Sequence, residues 1–325
     1  MGIVRWGILS TARIGGRLVE GAAKTDAADI VAVASRDGAT AQAFADAHDI
    51  PRAHDSYGAL LADPDVDAVY VPLPNSMHVD WTVQALQAGK HVLCEKPLDR
   101  RPEAVARAFD AAEAHGRVLS EAFMWRHSPQ TQRLRELLDE RVVGDVRIVR
   151  ASFSFVLAGD VDVRLDPALD GGGLMDVGCY CVSGARFVAG GEPVSVTAQA
   201  VDGPTGVDLR LSGLLRFDGD VLAVIDCGLD THSRGELEIV GSEGRIVLPD
   251  PWHAIEPRIV VERGFDREVV TVEGADSYTR ELEDMAAAIA GERAPLLGRA
   301  DALGQARTIE SLFRSAAEGR AVAPA

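Results

Sequence analysis

Gly7-Ile8-Leu9-Ser10-Thr11-Ala12-Arg13-Ile14-Gly15-Gly16 closes a strand-like opening run and enters a helical pattern. A turn that lets backbone approach a pyrophosphate needs small residues, so that the chain bends tightly and aims free amides from the following helix start. Against the G-x-G-x-x-G pattern the stretch reads Ser10-x-Ala12-x-x-Gly15, with the first two glycines replaced by the next smallest residues. Taken alone it also fits an ordinary strand-to-helix turn with a Ser/Thr cap. The next hundred residues decide between the two. Apolar runs at 3–9, 30–35, 68–71, 91–94 and 118–119 read as strands, and they alternate with helical spacing at 39–47, 56–61, 77–88 and 102–114. Pro102 opens the last of these helices at a favourable first-turn position. Alternation of this kind builds βαβ units and a parallel sheet covered on both faces.

Near residue 122 the texture changes. Strand-like runs at 146–157, 194–201, 206–217, 221–227, 236–240, 245–248, 259–262 and 268–272 cluster without helices between most of them. Helical patterns remain at 176–188, 278–290 and 300–317. The expectation is an α/β domain over 1–122, a doubly wound parallel sheet of Rossmann type. It is followed over 123–325 by an α+β domain with a large, predominantly antiparallel open sheet and flanking helices.

The length of 325 residues accommodates two such domains at about 150 residues each. With 33 Lys+Arg against 50 Asp+Glu, the formal charge of −17 repels phosphate backbones and anionic membrane surfaces, so a nucleic-acid partner is not expected. No apolar run reaches the ~18 to 20 residues of a bilayer span, and the first residues lack the basic and apolar regions of a secretory signal. A cytoplasmic location is the expectation. Cys94, Cys179, Cys181 and Cys227 show neither a disulfide framework nor metal-ligand spacing, and read as small buried hydrophobes with no metal site.

Four segments carry chemistry. Beyond the Ser10 turn, the second strand ends in Val33-Ala34-Ser35-Arg36-Asp37, about 20 residues downstream, where an acidic side chain would bind the ribose of NAD. A hydroxyl and a guanidinium there favour the 2′-phosphate of NADP, whereas an inward Asp37 would pull toward NAD. At the carboxyl ends of the next strands lie Leu73-Pro74-Asn75-Ser76-Met77-His78 and Cys94-Glu95-Lys96-Pro97, facing the crevice where an open parallel sheet binds its ligand. Lys96, beside a cationic oxidised nicotinamide, would have its pKa lowered into a range useful for proton transfer. The fourth segment runs from Arg164 through Gly171-Gly172-Gly173 to Asp176 and Tyr180. Its glycines suit a ligand-facing helix start, and the i,i+4 spacing sets one carboxylate and one phenol on the same helix face.

In this order and spacing the segments resemble the Gfo/Idh/MocA oxidoreductases, the family of glucose–fructose oxidoreductase, inositol dehydrogenase and related sugar dehydrogenases. Glu95-Lys96-Pro97, the glycine run to Tyr180, and Gly241-Ser242-Glu243-Gly244 carry the likeness over nearly the whole chain. Many members have histidine where this chain has Tyr180, which makes it look like the glucose–fructose oxidoreductase, D-xylose dehydrogenase and dihydrodiol dehydrogenase branch. The resemblance implies Lys96, Asp176 and Tyr180 as the catalytic set. Ser10, Thr11, Ala12, Arg13 and Ile14 would lie at the pyrophosphate, and Ser35 and Arg36 at the 2′-phosphate. Leu73, Pro74, Asn75 and His78 would line the nicotinamide ribose, with Glu95, Lys96 and Arg164 toward the nicotinamide. Lys96, Asp176, Tyr180 and Tyr278 would meet the substrate, Tyr278 from the C-terminal domain. Val163 stands where many relatives place an aromatic residue before Arg164.

The implied activity is NADP-dependent hydride transfer at a hydroxyl or carbonyl carbon of a sugar or polyol, an aldose such as xylose or glucose first. The alternatives are a trans-dihydrodiol dehydrogenase, a reductase of keto-sugars such as 1,5-anhydrofructose or 3-keto sugars, and, outside catalysis, an NADP-binding redox sensor. Leu209, Leu211, Leu215 and Phe217 alternate on one strand of a sheet with few helices left to cover it, so a homodimer or homotetramer through the C-terminal sheet is expected.

Overall fold

The computed structural model describes residues 2–159 and 161–324, and it divides into two compact units. The first comprises 1–124 with 276–303, and the second 125–275 with 304–325. A single cut at 122 therefore assigns residues 276–303 differently from the packing of the chain. The physical reason is at Gly21, where an added Cβ would lie 2.8 Å from the Cβ of Tyr278. A missing side chain there lets two helices approach closely enough for the Thr279 hydroxyl to donate to the Gly21 carbonyl at 2.8 Å.

In the first unit, β1 (Val4–Leu9), β2 (Ala28–Ala34), β3 (Arg52–His54), β4 (Ala68–Val71), β5 (His91–Glu95) and β6 (Leu119–Ala122) form one sheet in the order β3-β2-β1-β4-β5-β6. Every neighbouring pair is parallel. Connections are made by α1 (Arg13–Ala22), α2 (Gly38–Ala47), α3 (Tyr57–Leu61), α4 (His78–Gln87) and α5 (Pro102–Ala114), and α8 (Ser277–Ile289) packs on α1. Strands β1, β4 and β5 are buried nearly end to end, which is why they read as apolar runs rather than alternating ones. Strand β3 had no signal: three half-buried residues at a sheet edge are too short to show a period.

The second unit holds β7 (Val146–Val156), β8 (Pro193–Asp202), β9 (Asp208–Phe217), β10 (Leu222–Gly228), β11 (Asp230–Gly241), β12 (Arg245–Leu248), β13 (Arg258–Arg263) and β14 (Asp266–Thr271). Their order is β14-β13-β12-β11-β7-β10-β9-β8, antiparallel throughout except for the parallel β7–β10 pair. Helix α6 (Pro129–Asp139), absent from the sequence reading, is announced by Ser128, whose hydroxyl caps the Thr131 amide at 3.1 Å, and by Pro129 in its first turn. Helices α7 (Cys179–Ala189) and α9 (Arg299–Glu318) complete the unit, α9 crossing the division between 303 and 304.

The expected cover of the sheet needs a correction. Leu211, Leu215 and Phe217 are buried by the chain itself, and Leu209 is half-buried. On the same strand an added Cβ at Gly213 would stand 3.0 Å from Leu312 of α9. The apolar residues turned outward are their neighbours of opposite pleat, Leu214 and Val224, cross-strand partners that are 44% and 43% exposed. Among the described residues no helix is long and apolar enough to cross a membrane.

Candidate active site

The strand order of the first sheet reverses between β1 and β4, and at such a switch point the crevice opens outside the strands' carboxyl ends. Ser10 joins those two ends: its hydroxyl donates to the Pro72 carbonyl at 3.0 Å and accepts from the Ala12 amide at 3.2 Å. These bonds hold Ser10 at φ 145°, a region where glycine is the usual occupant. Ala12 is the N-cap of α1 and supplies no capping side chain; the Gly15 amide donates to the Ala12 carbonyl at 2.8 Å, which leaves the Arg13 and Ile14 amides of the first turn to face an anion. Gly15 sits where helix meets strand, its absent Cβ 3.4 Å from Phe44 and 3.5 Å from Ile8. An uncapped helix start pressed onto the sheet at a switch point suits a dinucleotide pyrophosphate.

The end of β2 settles the orientation of Asp37. Its carboxylate is the N-cap of α2, accepting from the Thr40 amide at 2.7 Å and the Thr40 hydroxyl at 2.6 Å. Those bonds, the hydroxyl first, hold its pKa below the ordinary aspartate value. Arg36 is exposed beside it, and the Ser35 hydroxyl accepts from the Asp37 amide at 3.3 Å.

Beyond β4 and β5 the sequence-predicted residues divide by depth. Pro74 and Asn75 are half-buried in the turn that leads into α4, whereas His78 is 1% exposed, with both ring nitrogens against carbonyl oxygens: Leu73 at 2.7 Å and Pro97 at 2.9 Å. Lys96 follows β5, its peptide to Pro97 is cis, and its amide donates to the Glu95 carboxylate at 3.2 Å. The other Glu95 oxygen accepts from the buried phenol of Tyr70. Burial first, and then the Glu95 charge, push the Tyr70 pKa well above its ordinary value. Glu281 of α8 is also buried, and burial followed by the Glu95 charge pushes its carboxyl pKa well up. Sequence reading missed Tyr70 and Glu281. One polar tip inside Ala68-Val69-Tyr70-Val71 was the available signal. Tyr278, expected to approach from the C-terminal domain, is instead buried in the first unit on α8, with the Arg17 guanidinium 5.7 Å from its ring centroid.

In the second unit Arg164 and Asp176 come together. The Arg164 Nε donates to Asp176 at 2.6 Å and its Nη1 to Asp162 at 3.2 Å. Burial opposes the guanidinium charge, but Asp176 and then Asp162 outweigh it, and the pKa rises. Their backbones meet through the glycine run: a Cβ at Gly171 would lie 2.4 Å from the Arg164 carbonyl oxygen, and the Gly172 amide donates to that oxygen at 2.8 Å. Gly172 itself has φ +118°, with space for no Cβ because Asp208 Oδ1 would be 2.1 Å away. Asp208, unmentioned in the sequence reading, accepts from the Leu174 amide at 2.7 Å, and burial pushes its pKa up to about 6 against those backbone bonds.

The continuous helix expected over 176–188 is broken in character: Leu174–Gly178 is one π-helical turn, and α7 begins at Cys179. Such widened turns are frequent at functional sites, and this one carries Asp176 on the wide turn with Tyr180 in the regular helix. The Tyr180 ring lies edge-on to Phe153, centroids 5.4 Å apart, and 5.9 Å from Trp252. Trp252 is fixed by donation from Nε1 to the Ser152 carbonyl at 2.9 Å and by contact with α7 at Gly184. Behind Tyr180, the Cys179 carbonyl accepts from Gln305 at 2.7 Å, and Gln305 accepts in turn from Arg186 at 3.0 Å. The four cysteines are buried and form no disulfide.

Comparison with known proteins agrees with both halves. Residues 4–123 match the model of an oxidoreductase family with an NAD-binding Rossmann fold, and residues 131–247 match the GFO/IDH/MocA C-terminal domain. A D-xylose 1-dehydrogenase (NADP(+)) of Haloferax volcanii is 42% identical over 323 residues, 98% of each chain. A trans-1,2-dihydrobenzene-1,2-diol dehydrogenase of Xenopus laevis is 38% identical over 75% of each. The crystal structure of a 3-ketoreductase from Actinomadura kijaniata, in complex with NADP and TDP-benzene, superposes with a TM-score of 0.91 at 29% identity, covering 97% of this chain and 98% of that one.

Proposed function

The chain belongs to the Gfo/Idh/MocA family, as an NAD(P)-dependent oxidoreductase acting on CH–OH groups, and on that premise we propose that it transfers hydride between NADP and a carbon of a sugar or polyol, with aldoses such as xylose or glucose as preferred substrates. The observation that carries NADP over NAD is the use of Asp37 as a helix cap, which leaves Ser35 and the exposed Arg36 to meet a 2′-phosphate. Ser10 through Ile14 hold the pyrophosphate, and Leu73, Pro74 and Asn75 hold the nicotinamide ribose. The nicotinamide, when bound, supplies or accepts the hydride. Lys96 of the first unit and Tyr180 of the second are the proton-handling groups of this proposal, and Asp176, oriented by Arg164, is its anchor for a neighbouring substrate hydroxyl.

The xylose dehydrogenase relative supports the aldose reading. The dihydrodiol dehydrogenase and 3-ketoreductase relatives support a second one, oxidation of a cyclic diol or reduction of a keto-sugar. Membership of an enzyme family removes the support for a catalytically silent redox sensor. A homodimer or homotetramer through the outer face bearing Leu214 and Val224, in a cytosolic setting that suits four cysteines without a disulfide, completes the proposal. The test is a panel of aldoses, polyols, trans-dihydrodiols and keto-sugars with NADP or NADPH, followed at the reduced-nicotinamide absorbance. Aldose-dependent NADP reduction is expected. Tight NADP binding with no turnover across the panel would overturn the assignment.

A further inference from the structure

His78 lies one residue beyond the turn that carries Asn75, at the start of α4, and its ring spans two loops. Its Nε2 faces the Leu73 carbonyl at 2.7 Å, in the segment after β4, and its Nδ1 faces the Pro97 carbonyl at 2.9 Å, in the segment after β5. At 1% exposure the ring has no water to turn to, and its own helix supplies neither contact. Both partners are acceptors, so each bond requires the ring nitrogen to be the donor. Burial holds the His78 pKa below its ordinary value, Lys96 acts in the same direction, and the two carbonyls and Asp99 act against it. A neutral ring donates to one of the two carbonyls and a protonated ring to both, and in either form the imidazole occupies the space between the two loops at hydrogen-bond distance from each.

We propose that His78 is a positioning residue of the cofactor crevice, which sets the spacing of its nicotinamide-side walls by tying the Leu73 backbone to the Pro97 backbone without touching the nucleotide. The functional consequence rests on the proposed function, in which these two segments flank the nicotinamide half. Lys96 is covalently joined to Pro97, so the same clamp fixes the backbone from which the Lys96 side chain departs. The adenine half of the nucleotide, bound at α1 and the end of β2, does not depend on it.

Side-chain amides separate the two bonds. Asparagine places its nitrogen near the position of Nδ1, and glutamine near that of Nε2, so His78→Asn retains the Pro97 bond and His78→Gln the Leu73 bond, while His78→Phe keeps the ring and loses both. In the full-length protein, NADPH affinity is read by its fluorescence on binding, with adenosine 2′,5′-bisphosphate as a probe of the adenine half alone. His78→Phe is expected to weaken NADPH by about tenfold or more, the effect of losing a buried hydrogen bond, and to leave the bisphosphate unchanged. Each amide variant is expected to recover part of the loss. Three results would overturn the clamp: wild-type NADPH affinity in His78→Phe, equal weakening of both probes in all three variants, or no recovery by either amide. Failure of the wild-type protein to bind NADPH at all would instead sink the functional reading on which the consequence rests.

Discussion

Replacing Asp208 by asparagine should make the protein's stability less dependent on pH, in a direction set by the burial of that carboxyl. In the folded chain its pKa stands at about 6 against an ordinary 3.8. The folded protein therefore keeps the proton to higher pH than the unfolded chain does, and the stability associated with it is complete below about pH 3.8 and lost as pH rises through about 6. At about 1.36 kcal/mol per pH unit, the shift makes the ionised carboxylate cost the native state about 3 kcal/mol, with little screening at 4% exposure. Roughly half of this, about 1.4 kcal/mol, accrues between about pH 5 and pH 8. The asparagine amide still offers an oxygen to the Leu174 amide, so the glycine-rich helix start keeps its acceptor. Urea unfolding followed by tryptophan fluorescence at the two pH values reads the difference. Asp208→Asn should gain on wild type as pH rises. A constant difference, or a gain toward acid, would mean that the carboxylate is stabilised at the helix start by more than burial costs it.

Other substitutions probe the site itself. Lys96→Ala should leave NADP binding near normal and cut turnover on the order of a thousandfold or more, measured in steady state beside a binding titration; near-wild-type turnover removes Lys96 from the proton-handling set. Arg36→Ala should weaken NADP by about ten- to a hundredfold while changing NAD little, and equal losses would deny the 2′-phosphate contact. Gly184→Ala places a Cβ 2.9 Å from Trp252, so it should destabilise by about 1–3 kcal/mol and disturb Tyr180 through the shared ring cluster, seen as a lower melting temperature with altered tryptophan emission. Unchanged emission would show that Trp252 has room to move.

Much of the fold was legible because periodicity reports burial. Parallel strands buried on both faces, such as β4, give continuous apolar runs, and Pro102 marks the start of α5. Strand β3 escaped because three edge residues carry no pattern, and the π-helical turn escaped because Leu174 to Gly178 is as helical in composition as an ordinary turn. Of the candidate site residues, Ser10, Arg36, Lys96, Asp176 and Tyr180 stood out by residue type at motif spacing. Asp208 and Trp252 did not, since each reaches its partner from a segment distant along the chain.

Sequence alone determined what depends on neighbours in the chain: the alternation that builds a parallel sheet, the small residues of the first turn, and the chemistry offered at each strand's end. Tertiary structure decided which groups are already engaged. Only there does Asp37 become a helix cap, Asp176 the partner of Arg164, Tyr278 a residue of the first unit, and His78 a link between loops. Hydrogen bonds and burial act over a few ångströms in space, whatever the separation along the chain, and no local pattern records which acceptor a buried donor will meet.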